Sequence, residues 1–143
     1  MIEPRVLLLD TCALIWLINR TPIQPRALEE IERAARDDAL VVSTASAWEV
    51  GLLSRRVGRS DGLQFAPDPK AWFARALTAP GLRLAPLTPE IAVDASHLPG
   101  ELHGDPADRL IITTARHLGA AIVTRDRKIL DYAQAGFVEA IVC

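Results

Sequence analysis

Four acidic side chains in this chain ask for an explanation: Asp10 closing "VLLLD", Glu49 in "SAWEVGLL", Asp108 in "GDPADRLII" and Asp126 in "IVTRD". Asp108 is the sharpest case. Counting three, four and seven positions along a helix reaches Ile111, Ile112 and Ala115, so this acid shares a face with residues that belong in a core. Ordinary explanations exist for each acid alone. Asp105 before Pro106 has the position of an N-cap, and a first-turn acid such as Asp108 can serve the helix dipole or pair with Arg109. Gathered in one place, however, the four would raise one another's pKa, and a divalent cation would relieve that repulsion. A donor set of oxygens alone, with no cysteine cluster and no spaced histidine pair, selects a hard ion, Mg2+ or Mn2+ rather than Zn2+.

Whether they gather depends on the elements that carry them. "VLLL" at 6–9 is a short, non-alternating apolar run of the kind that forms a strand covered on both faces. "ALIWLIN" reads as a short helix, and the segment from Pro25 places Leu28, Ile31, Ala34 and Ala35 at helical spacing. "LVVS" at 40–43 is a second strand, leading into a helix through Trp48, Glu49 and Leu52 that should stop near Gly58. Residues 58–70 have the composition of a loop. Beyond them the reading is helix ("AWFARALTA"), strand ("LRLAPL"), helix ("PEIAVDASHL"), helix from Pro106 to Leu118, strand ("AAIVT"), a short helical segment at 128–134 and a last apolar stretch, "EAIVC". Such alternation predicts an α/β fold with a largely parallel sheet and helices on both faces. In open parallel sheets the ligand site lies beyond the carboxyl ends of the strands. Asp10 and Asp126 follow strands, Glu49 lies early in the helix after a strand, and Asp108 begins a helix that runs back from the same edge. The topology therefore aims all four at one place.

The chain has 143 residues, half of them hydrophobic, which suffices for one domain spanning 1–143 with a real core. No apolar run approaches a membrane span, and the apolar segment near the N-terminus is too short for a signal peptide. Two cysteines, Cys12 and Cys143, form neither a disulfide framework nor a zinc spacing, so a reducing cytoplasm is expected. A net charge of −2 excludes a protein that coats nucleic acid through bulk positive charge, although not an enzyme acting on it.

"LLLDTCALIWL", "SAWEVGLL", "GDPADRLIITTA" and "IVTRDRKIL" together resemble, in order and over nearly the whole chain, the four acidic motifs of the PIN-domain ribonucleases, in particular the VapC toxins of bacterial type II toxin–antitoxin systems. The resemblance implies a three-layer α/β/α sandwich and a catalytic cluster of Asp10, Glu49, Asp108 and Asp126, with Thr11 and Thr124 as nearby hydroxyls. It further implies a homodimer and a small antitoxin partner whose tail can block the site. The mechanism that follows is hydrolysis of an RNA phosphodiester, with Mg2+ (or Mn2+) on Asp10, Asp108 and Asp126 activating water and Glu49 completing its surroundings. The products would be a 5′-phosphate and a 3′-hydroxyl, and none of His97, His103 and His117 is required.

Two other classes share parts of the pattern. A haloacid-dehalogenase-like phosphatase needs a second aspartate where this chain has Cys12, and a phosphate-accepting receiver domain needs an extra acid beside the first strand and a late lysine. Nucleotide-cofactor folds lack their glycine-rich loops here. Arg109 has two readings, a contact to phosphate or to an antitoxin carboxylate, or a structural ion pair. Arg55, Arg56 and Arg59 are either a solvated helix end or a track for an RNA backbone, and Trp16, Trp48 and Trp72, all in apolar helical contexts, are expected in core or dimer packing.

Overall fold

The computed structural model describes residues 5–56, 65–102 and 104–143. Five strands, β1 (Leu7–Leu9), β2 (Leu40–Ser43), β3 (Leu82–Ala85), β4 (Ala121–Thr124) and β5 (Glu139–Val142), pair in the order β3-β2-β1-β4-β5, and every pairing is parallel. Leu8 of β1 lies opposite Val41 on one side and Ile122 on the other. Seven helices are described: α1 (Thr11–Ile18), α2 (Pro25–Arg36), α3 (Thr44–Ser54), α4 (Pro69–Ala76), α5 (Pro89–Ala95), α6 (Pro106–Leu118) and α7 (Arg127–Gln134).

The period of two along each strand divides the core. Leu7, Leu9, Leu40, Val42, Ala121 and Val123 point to one face, where α1, α2 and α4 cover them through Leu14, Ile31, Ala34, Trp72 and Phe73. Leu8, Val41 and Ile122 point to the other, against Ile111, Ile112 and Ala115 of α6 and Ile129 and Tyr132 of α7. Strands that must satisfy both layers have no polar face, which is why "VLLL" and "LVV" do not alternate. The result is a three-layer α/β/α arrangement. The edge strands β3 and β5 are partly exposed, as strands with one neighbour can be.

Element boundaries follow their caps. Asp-Pro begins both α4 and α6, each aspartate accepting a backbone N–H three residues on, and α6 ends on Gly119 in the left-handed region at φ 63°. Thus α4 starts at Pro69, two residues inside the stretch read as loop. Conversely α5 stops at Ala95, short of the expected "SHL", and α3 ends at Ser54; Gly58, the expected stop, lies outside the described residues.

The tryptophans divide between core and surface. Trp72 is buried edge-on to Phe65, with ring centroids 5.0 Å apart, whereas Trp48 is 52 % exposed. Exposed apolar surface lies on Trp48 and Leu52 of α3 and on Leu84, Leu87 and Val93, among other positions, while the apolar residues of α1 and α2 mostly face the core. Among the described residues no helix is long and apolar enough to cross a membrane.

Candidate active site

From β1 the sheet is extended by β2 on one side and β4 on the other, so the crevice beyond β1 and β4 is the topological switch point where open α/β sheets bind ligands. Asp10 is the first residue past β1 and Asp126 the second past β4, and each caps the helix that follows. Asp10 accepts the Ala13 N–H at 2.8 Å; Asp126 accepts Lys128 N–H at 2.8 Å and Ile129 N–H at 3.4 Å. Asp105 does the same for α6, accepting Asp108 N–H at 2.8 Å. Three of the acids are therefore fixed by helix N-termini, whose positive dipole ends face the crevice.

Hydroxyl groups orient the remaining oxygens. Thr124 donates to Asp10 Oδ2 while its Oγ1 accepts the Asp126 N–H at 2.9 Å, so one buried threonine links both strand-end acids. Thr11 donates to Glu49 Oε1 and lies 2.9 Å from the fully buried Ser46 Oγ. Glu49 sits on the second turn of α3, one residue from Trp48 and on a different side of the helix. Asp108 stands beside Ile111, Ile112 and Ala115, all fully buried, and its carboxylate accepts no hydrogen bond among the described residues.

Together Asp10, Glu49, Asp105, Asp108 and Asp126 line one cavity of about 310 Å3. Oxygens of Glu49, Asp105 and Asp108 fall within 4.8 Å of one another, close enough to share an ion. Asp10 and Asp126 line the same cavity without belonging to that tightest trio. Asp105, read from the sequence as a cap only, thus joins the cluster. The signal was its place three residues before Asp108 at one helix end, since a cap and a first-turn side chain face the same space.

The electrostatics carry the cost of this gathering. Burial raises the Asp108 carboxyl to about 7, and the charges of Asp105, Asp126, Glu49 and Asp10 add to it. Burial likewise raises Asp10 to about 6 against the opposing hydrogen bonds from Thr124 and Ala13, and it raises Glu49 despite the bond from Thr11. No cationic group offsets these three carboxyls. Cys12, on the same cavity wall, has its thiol pushed up to about 11, by desolvation first and then by Asp10, Glu49 and Asp126, which favours the uncharged thiol.

Arg109 forms no ion pair among the described residues, so its structural reading is met by carbonyls in place of an acid. Its Nε donates to the Ala95 carbonyl at 2.9 Å and its Nη1 to the Leu102 carbonyl at 3.1 Å, tying α6 to the end of α5 and the loop that follows. Arg55 and Arg56 are exposed just past α3, while Arg59 and His103 lie outside the described residues. Ser46 is a supporting group without a sequence signal of its own, because a hydroxyl on a helix is common.

A PIN-domain model matches residues 7–135. The chain belongs to the PIN-domain family. Within it, the chain is 33 % identical over 127 residues to ribonuclease VapC22 of Mycobacterium tuberculosis, covering 89 % of this chain and 91 % of that protein, which makes it a VapC-type PIN ribonuclease. The fold is shared with VapBC2 from Rickettsia felis bound to a DNA fragment from their promoter, at TM-score 0.67 and 15 % identity, covering 96 % of this chain and 98 % of that one. It is shared also with a toxin–antitoxin complex from Klebsiella pneumoniae, at TM-score 0.59 and 18 % identity, over 94 % of each chain. The acidic cavity at the switch point of this PIN domain is the candidate active site.

Proposed function

We propose that this PIN domain is a Mg2+- or Mn2+-dependent endoribonuclease acting as the toxin of a toxin–antitoxin pair that inhibits translation by cleaving RNA. The observation that carries the metal requirement is the donor set: five carboxylates line one cavity, three of them within sharing distance of an ion, and among the described residues none of the five forms an ion pair. That set fits a hard divalent ion: Glu49, Asp105 and Asp108 present oxygens close enough to share one, and Asp10 and Asp126, which with Asp108 are the ligands expected from the sequence, line the same cavity and would complete its surroundings. When bound, such an ion supplies a polarised phosphoryl oxygen and a water of lowered pKa. The chain's own residues do the rest. Thr124 holds Asp10 and Asp126 in a fixed relation, Thr11 fixes Glu49, and the helix caps prevent the aspartates from rotating away to solvent. With an ion in place the acid cluster would orient its bound water for in-line attack on the phosphorus. Hydrolysis by water leaves a 5′-phosphate and a 3′-hydroxyl.

The partner reading follows from the VapC relative and from the toxin–antitoxin fold neighbour: a small antitoxin whose tail blocks the cavity. The exposed Trp48 and Leu52, with Leu84 and Leu87, supply apolar surface for a homodimer, and the setting is the cytoplasm. The test is incubation of antitoxin-free protein with end-labelled RNA. Cleavage in Mg2+ or Mn2+ that stops in excess EDTA and leaves 5′-phosphate ends is expected. Undiminished cleavage in EDTA refutes the metal mechanism, and turnover of a phosphomonoester in place of RNA favours the phosphatase class.

A further inference from the structure

The acidic cavity poses a difficulty for any phosphodiester substrate, because its carboxylates repel a polyanion until an ion is bound and still repel the phosphates on either side of the one being cut. Arg125, between Thr124 and Asp126, is the cation among the described residues of the cavity wall. Two features distinguish it. Despite the acids around it, Arg125 forms no ion pair within 4.0 Å among the described residues. Instead its guanidinium lies over the Trp16 ring, 4.0 Å from the centroid, while Nη2 donates to the Pro22 carbonyl at 3.3 Å.

Stacking on an indole fixes the plane of a guanidinium and leaves its edge N–H groups pointing sideways. Pro22 engages one of the five and the Cys143 thiol also interacts with the guanidinium, while the residue as a whole is exposed. Trp16 is itself half-buried and packed on the core beneath α1, so the platform is anchored in the fold. An arginine whose guanidinium is held over an aromatic ring, and which pairs with no carboxylate among the described residues, is prepared for an anion that arrives from solution.

We propose that the Trp16–Arg125 pair is a phosphate clamp: Arg125 donates to the RNA phosphate next to the one being hydrolysed, and Trp16 holds its guanidinium in the plane required. This inference rests on the ribonuclease reading and deepens it. The clamp offsets the repulsion of the acid cluster for a bound strand, without contributing to ion binding.

The test uses the full chain and a 5′-labelled single-stranded oligoribonucleotide pool of random sequence, with initial rates measured in Mg2+ over a series of KCl concentrations. Arg125→Ala is expected to raise KM about ten- to a hundred-fold, as loss of a charge-assisted contact would, and to flatten the slope of log(1/KM) against log[KCl] by about 0.7, one single-strand phosphate contact. The Mg2+ concentration that half-shifts the melting temperature should stay unchanged. Arg125→Lys should recover part of the KM and the salt slope. Trp16→Leu should raise KM in a protein whose melt remains cooperative, because the charge remains but its plane is lost. If wild-type protein cleaves RNA and Arg125→Ala matches it in KM and salt slope, the clamp is refuted and the nuclease reading stands. If Arg125→Ala shifts the Mg2+ midpoint in proportion to its KM, Arg125 acts through the ion site and the clamp is likewise refuted. If wild-type protein cleaves no RNA in Mg2+ or Mn2+, both readings fall.

Discussion

Replacing Asp108 by Asn separates a carboxylate held for an ion from one held for the helix. With its carboxyl raised from 3.8 to about 7, Asp108 must be ionised against burial and four neighbouring acids once the pH exceeds 7. A shift of one unit is about 1.4 kcal/mol, so the full shift corresponds to roughly 4 kcal/mol, and partial solvent access reduces this to about 2–4 kcal/mol. The sign follows from the raised folded value. Below pH 4 both states are protonated and the penalty is absent; it grows as the unfolded state ionises first, and is complete above pH 7. Against it stands the favourable first-turn dipole interaction, about 0.3–1 kcal/mol, which Asn forfeits. The like-shaped amide breaks no hydrogen bond of the carboxylate, so the penalty wins. In EDTA at pH 8, Asp108→Asn should therefore melt about 5–10 °C above wild type, at roughly 3 °C per kcal/mol for a chain of this size, and the gain should vanish near pH 4. Adding Mg2+ should raise the wild-type melting temperature by mass action and the variant's less, with cleavage lost in the variant. Calorimetry or circular dichroism across pH 4–8, with and without Mg2+, makes the comparison. A variant less stable than wild type in EDTA at pH 8, or equally altered at pH 4 and pH 8, would refute the argument.

Other expected outcomes follow from the same geometry. Asp105→Asn should retain the cap to Asp108 N–H and lose much of the Mg2+-induced stabilisation, whereas Asp105→Ala should cost about a further 1 kcal/mol in EDTA; equal Mg2+ responses in wild type and Asp105→Asn would remove this acid from the ion site. Thr124→Val should leave Asp10 without its hydroxyl donor and the Asp126 N–H without its acceptor, costing about 1–3 kcal/mol and reducing cleavage; an unchanged denaturation midpoint and rate would show the link to be dispensable. Light scattering should give a dimer at micromolar concentration, and Trp48→Glu on the exposed face of α3 should shift it toward monomer; a wild-type monomer would overturn the dimer.

The sequence by itself determined the layers and the acids. Apolar runs without alternation can only be strands covered on both faces, so "VLLL", "LVV" and "AIVT" dictate a parallel sheet between helices, and an acid at the end of such a strand can only emerge at its carboxyl edge. For the same reason the placement of Asp10, Glu49, Asp108 and Asp126 around one crevice is legible from the order of the elements. Spacing along a chain, though, does not report distances across it. That Asp105 lies within reach of Glu49, that Thr11 meets Ser46 and Glu49, and that Arg125 rests on Trp16 rather than on an acid are contacts between segments brought together by strand order. Arg109 shows the same limit, since the carbonyls it binds belong to α5 and the loop after it, 14 and 7 residues away along the chain. Local sequence sets which side of an element a residue takes. Only the packed tertiary structure, in which each buried polar group must find a partner, decides which residue it meets.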